Sequence, residues 1–226
     1  MKTIILSLLA LMLTASSGLC SLGGNLTEEL EPLIVGQVNQ TDRVLTAQEG
    51  DLLLQLRTLT LERVFWTRMA ISSLIQDSDE RSFIQNRLLR NSGDMIETVG
   101  PYFGSEKSKR YGDLIDEQMN ITVEVVNAAK DADQIALVNA SQKWFENADE
   151  ISLVENRTVS GLSFEARKAA WRDLLNLTKN ETLQMLSRDH NASIDTMDRI
   201  EERAIMMADS LADAIIAMKP ERFHEM

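Results

Sequence analysis

Cysteine is almost absent from this 226-residue chain: Cys20 stands alone. No intrachain disulfide can form, and paired-thiol chemistry and cysteine-rich metal clusters are excluded. Histidine is nearly as scarce, with only His190 and His224. A di-iron bundle site needs Glu-X-X-His on two helices, and neither histidine lies in that motif. Proline occurs three times, at 32, 101 and 220, and glycine is sparse after Gly112. Few breakers therefore interrupt helices, and β-branched alternation, the mark of strands, is rare. Positive charge is also short. Lys and Arg number 23 against 35 Asp and Glu, a net charge of −12. Such a chain repels phosphate backbones and anionic lipid, so no nucleic-acid partner is expected. Gly-rich phosphate loops and nucleophile elbows are missing. Adjacent acids such as Asp149-Glu150 are turned apart by helical geometry and do not read as a glycosidase pair.

What is present begins with an apolar run. Lys2 precedes IILSLLALML (4–13), and small residues follow in ASSGLCS. That order is a secretory signal's, and the run is shorter than the roughly 20 apolar residues a spanning helix needs. Residues 1–20 read as a signal peptide, 21–45 as an N-terminal arm and 46–226 as one helical-bundle domain. After signal removal no transmembrane segment is expected, and the location is secreted or cell-surface.

Asparagine carries the strongest statistical signal. Of 12 Asn, eight lie in Asn-X-Ser/Thr: Asn25, Asn39, Asn120, Asn139, Asn156, Asn176, Asn180 and Asn191. Composition alone would give roughly two such sequons, so surface N-glycosylation is expected.

Apolar residues recur at three- and four-residue steps from about 48 to 218, an all-helical pattern. Thr46-Ala-Gln-Glu49 is a capping box that opens a helix running to about Gln76. A second helix covers about 79–99 and stops at Gly100-Pro101. Ser105 caps a third that runs to Lys130, and a fourth runs from about 134 to Glu155. NRTVSGLS (156–163) is the longest loop. A fifth helix runs from Ser163 to about Arg188, and a sixth from about Asn191 to before Pro220. The short connections predict antiparallel neighbours in an all-α, up-and-down bundle.

The odd helices align with one another. Glu62, Glu117 and Asp173 lead, and Thr67, Thr122 and Thr178 follow five positions later. On the even helices Asp94, Asp149 and Asp209 lie 32, 32 and 36 residues beyond the leading acids. The pattern predicts three tandem helical hairpins. At about 100° per residue the threonines face inward, and so does the residue after each acid: Arg63, Gln118 and Leu174. Arg63 would pair with Asp94, and Gln118 with Asp149. Asp209 lies in an apolar stretch (204–218) that predicts deep burial. Arg63, Asp94, Gln118, Asp149 and Asp209 thus form a candidate polar layer. Asn176 and Asn180 point to solvent. Thr182 is placed nearer the rim than Thr178, which makes Asn180 the better glycan acceptor. Trp66, Trp144 and Trp171 are expected to fill the core, with a pocket between hairpins as the alternative.

In order and spacing, FWTRMAI (65–71), NRLLRN (86–91), PYFG (101–104), WFENADEI (144–151), MMADSLADAII (206–216) and KPERF (219–223) resemble a family of small, mostly secreted helical proteins of bacteria and archaea. The family has no established activity. The resemblance implies an acid-His pair where this chain has Glu62-Arg63, Glu117-Gln118 and Asp173-Leu174, so no histidine-dependent function carries over. Together these readings predict a secreted, N-glycosylated bundle with a binding or structural role, its partner an unknown protein or small ligand. No cofactor or catalytic residue is expected. The alternative is a small-ligand or cation-binding protein that uses the inward layer, a divalent cation being held by oxygen ligands.

Overall fold

The computed structural model describes residues 44–223. The signal segment, most of the arm, Asn25, Asn39 and His224 lie outside them. Six helices follow in order: α1 Ala47–Ile75, α2 Arg81–Phe103, α3 Ser105–Lys130, α4 Gln134–Thr158, α5 Phe164–Ser187 and α6 His190–Met218. A 3-10 turn, Pro220–Arg222, closes the series. No strand occurs among the described residues. Each helix packs on the next, and α6 returns to α1, so the bundle is a closed ring. The odd helices also meet one another across its middle, with α1 and α3 in closer touch than either is with α5.

Local chemistry accounts for the helix ends. Thr46 Oγ1 accepts from the Glu49 N–H while the Glu49 carboxylate accepts from the Thr46 N–H, which completes the capping box. Asp133, Ser163 and Asp189 accept from the N–H three residues on and cap α4, α5 and α6. Ser105 is not a cap; Gly104 holds that position, and no side chain caps α3. Each of the five connections contains one residue of positive φ: Asp77, Gly104, Ala132, Gly161 and Arg188. A single left-handed residue reverses the chain at the least length.

Two ends differ from expectation. α2 runs through Gly100-Pro101 to Phe103. Pro101 cannot donate to the carbonyl four residues back and crowds it, a cost that Gly100, with no Cβ to meet the ring, only partly relieves. Tertiary contacts hold that turn: Tyr102 stacks on Phe223, and buried Phe103 meets Tyr111 edge-on. α4 extends to Thr158 rather than Glu155. Asn156 Nδ2 donates to Leu162 O at 2.6 Å and folds the loop back onto the helix.

The main core draws on all six helices, with Leu56, Val99, Leu114, Trp144, Trp171 and Ile215 among its members. Smaller clusters, around Leu88 with Met119 and around Ile71 with Val126, fill the end near the α1–α2 and α3–α4 turns. Trp66 differs from the other two tryptophans: it is half-buried, with the Arg87 guanidinium over its ring.

Candidate functional site

The inward positions of the odd helices converge on a partly enclosed cavity along the bundle axis. Arg63, Gln118 and Leu174 line it, together with Thr67, Thr122 and Thr178. Two of these threonine hydroxyls bond the backbone one turn back. Thr122 Oγ1 donates to Gln118 O at 2.8 Å, and Thr178 Oγ1 to Leu174 O at 2.9 Å. Bonded one turn back, these hydroxyls are compatible with an apolar wall. The void open to the centre of a water-sized sphere is about 80 Å³. A single water needs only about 10–15 Å³ by that measure, so the space suits several waters or a small molecule.

The aspartates of the expected polar layer do not line this cavity. Asp94 is exposed and does not pair with Arg63, whose guanidinium donates to Ser92 Oγ at 3.1 Å and Ile115 O at 2.8 Å. Asp149 pairs with Arg172 and Lys168 rather than Gln118. Asp209 is partly exposed, not deeply buried, and takes a bidentate bond from Arg57 at 2.5 and 2.7 Å. The reason is register. Leu59 O receives the Asn91 side chain, so residues 59 and 91 share a height. Asp94 then sits level with about residue 56, roughly 9 Å down the axis from Glu62. The leading acids instead tie each hairpin together. Glu62 pairs with Arg87 at 2.8 Å, Glu117 accepts from Asn147 at 3.3 Å, and Asp173 pairs with Arg203 at 2.8 Å.

Two ion pairs, one buried and one part-buried, bound the cavity. At one end Glu155, fully buried, takes Nε and Nη2 of Arg167 at 2.7 and 2.9 Å, while Arg167 Nη1 donates to Met207 O. Trp171 Nε1 and the Tyr111 hydroxyl complete the carboxylate's set at 3.3 and 3.4 Å. Burial alone would lower the Arg167 pKa, but the Glu155 charge and hydrogen bonds outweigh it and hold the guanidinium above its ordinary value. Burial, reinforced by Glu155, pushes the Tyr111 phenol well up. At the other end Arg68 pairs with buried Glu181 and reaches Ser193. Arg167, Leu174 and Glu181 are spaced by seven residues and form one stripe of α5. That spacing is the signal by which the sequence exposes this buried pair of charges.

Arg63 differs from both. Among the described residues no carboxylate forms an ion pair with it, although the Asp116 charge acts on it from farther off, and burial pushes its guanidinium down to about 10, still charged at neutral pH. Nearby, buried Gln118 Nε2 and Trp144 Nε1, both on the cavity wall, find no partner in the protein, and neither does Asn91 Oδ1. The Asn91 and Asn147 amides each donate to a carbonyl of the preceding helix, at Leu59 and Leu114. Both lie in the NRLLRN and WFENADEI stretches.

The lining offers little for catalysis. The Tyr111 hydroxyl is tied to a carboxylate already held by Arg167, and the two threonine hydroxyls described above bond the backbone. Among the described residues no three His, Cys, Asp or Glu side chains converge to hold a metal ion. No helix among them is long and apolar enough to cross a membrane. Comparison with known proteins matches no family model, no curated protein and no solved structure.

Proposed function

We propose that this chain is a secreted or cell-surface binding protein that holds a small ligand in the cavity along its bundle axis. The observation that carries this reading is an apolar void with unsatisfied polar groups on its wall: the Arg63 guanidinium without a carboxylate, and the Gln118 and Trp144 N–H groups without an acceptor. Buried polar groups are normally paired, and a few convergent ones in an apolar pocket mark a ligand site. The secretory signal and the sequon excess support an extracellular location with N-linked glycans. The short motifs support membership in the family of small secreted helical proteins. Three tandem hairpins of common origin are the simplest source of the repeated acid and threonine positions.

The test is binding of a neutral, environment-sensitive apolar fluorophore, N-phenyl-1-naphthylamine. Saturable binding is expected, lost when Thr178→Phe fills the void while circular dichroism stays unchanged. A ligand at 100 times its Kd should also stabilise the fold by about 2.7 kcal/mol. Absence of saturable binding in the wild type would remove this reading.

A further inference from the structure

Resting on the cavity-binding reading, we infer that the natural ligand is a small monoanion, an oxyanion head such as a carboxylate on an apolar body, with the head held by Arg63, Gln118 and Trp144.

Charge is the first argument. Three arginines line the cavity, and two are neutralised: Arg68 by Glu181 and Arg167 by Glu155. Among the described residues Arg63 has no ion pair: Asp116, whose charge acts on it from beyond ion-pairing distance, does not line the cavity, so the wall carries one unpaired positive charge inside a chain of net charge −12. A buried charge is costly without a partner, and a guanidinium prefers an oxyanion, which it can grip through two N–H groups. The surplus is one charge, so a dianion would bring a second negative charge with nothing to meet it.

Donor placement is the second argument. Arg63 donates to Ile115 O, one turn of α3 from Gln118. The Asn147 amide donates to Leu114 O, which in antiparallel register sets Trp144 level with about residue 117. The bonded end of Arg63 and the backbone positions of Gln118 and Trp144 thus lie within about one helical turn of the same height, roughly 5 Å. Gln118 is 7% exposed and Trp144 is 2%, so each unpaired N–H is enclosed. Three donors against one unpaired acceptor on the wall, Asn91 Oδ1, favour a group that mainly accepts. A cationic head would meet the guanidinium with like charge.

Shape completes the argument. Beyond the donors the wall is mostly apolar, with Leu88, Met119, Leu175 and Ile200 on it. These surfaces suit a short hydrocarbon or aromatic body and offer little to a sugar or a free inorganic ion.

The test uses matched acid and alcohol pairs with the full-length secreted protein: hexanoate and hexanol, octanoate and octanol, phenylacetate and 2-phenylethanol, each by isothermal titration calorimetry. Expected is binding of at least one acid about tenfold or more tighter than its alcohol. Arg63→Met should erase that preference while leaving alcohol binding within about threefold. Gln118→Leu, which keeps Arg63, should weaken the acid alone, and it decides the assignment if Arg63→Met fails to fold. Octyl phosphate, a dianion near neutral pH, should bind more weakly than octanoate, and tighter binding would overturn the single-charge assignment. Acids no tighter than alcohols, with the neutral fluorophore still bound, would overturn the head-group inference and leave the cavity reading standing. If the fluorophore does not bind, the cavity reading fails, and this inference with it. A preference that survives Arg63→Met would overturn the assignment to Arg63.

Discussion

At the scale of single residues, Glu155 and Arg167 are the most exacting. Both are buried, and the carboxylate accepts from three side chains. Glu155→Gln would strand the Arg167 guanidinium and should cost about 3–5 kcal/mol in urea unfolding. The Glu155→Gln, Arg167→Met double variant should lose less than the two singles together, by up to about 3 kcal/mol, because each single leaves the other's charge behind. Tyr111 adds a pH dependence. Burial raises its folded-state pKa above the unfolded value of about 10. Its contribution is therefore complete below about pH 10 and is lost as pH rises toward the folded pKa. Wild type should destabilise above about pH 10 more steeply than Tyr111→Phe, as read from melting midpoints across pH 9–11.

At the scale of elements, two glycines decide how helices meet. Gly104 alone joins α2 to α3, at φ 78° and ψ 159°, a region nearly closed to residues with a Cβ. Gly104→Ala should cost roughly 1–3 kcal/mol although nothing lies near the added methyl. Gly112, inside α3, reports a close approach instead. A Cβ there would overlap Cδ1 and Cγ1 of Ile96 on α2. Gly112→Ala gains about 1 kcal/mol in helix propensity but should lose about 1–3 to overpacking, and Ile96→Ala added to it should restore part of the loss. Thermal unfolding of the three variants checks the order.

At the scale of the molecule, the sequons meet the fold unevenly. Asn120, Asn139, Asn176, Asn180 and Asn191 are exposed. Yet Thr122, Thr178, Thr182 and Ser193, the third residues of four of these sequons, are buried. Thr182 is not nearer the rim; at 1% exposure its hydroxyl bonds Thr178 O at 2.8 Å, so Asn180 has no advantage over Asn176. Asn156 is engaged with Leu162 O. Protein made in a glycosylating host should lose the mass of several glycans on glycosidase treatment. Chain folded first and then offered to the transferase should accept a glycan at Asn139 and be refused at Asn120, Asn176, Asn180 and Asn191, by peptide mass mapping.

The sequence alone determined the helices, their order and most of their ends, because capping boxes, breakers and 3.6-residue periodicity act within a few residues of each other. It also placed Arg63, Gln118, Leu174 and the three threonines on inward faces, since a face follows from spacing within one helix. What lies opposite those faces depends on register between helices, which no local pattern states. Tertiary structure therefore decided that Asp149 and Asp209 pair with arginines and a lysine, that Asp94 is exposed, and that none of the three lines the cavity. It likewise decided that Glu155 and Glu181 take two of the three cavity arginines. Packing of Tyr102 and Phe103 carried α2 past a proline that would otherwise end it. The charge left over on Arg63 is a property of the assembled bundle, because it depends on which acids six helices bring near it.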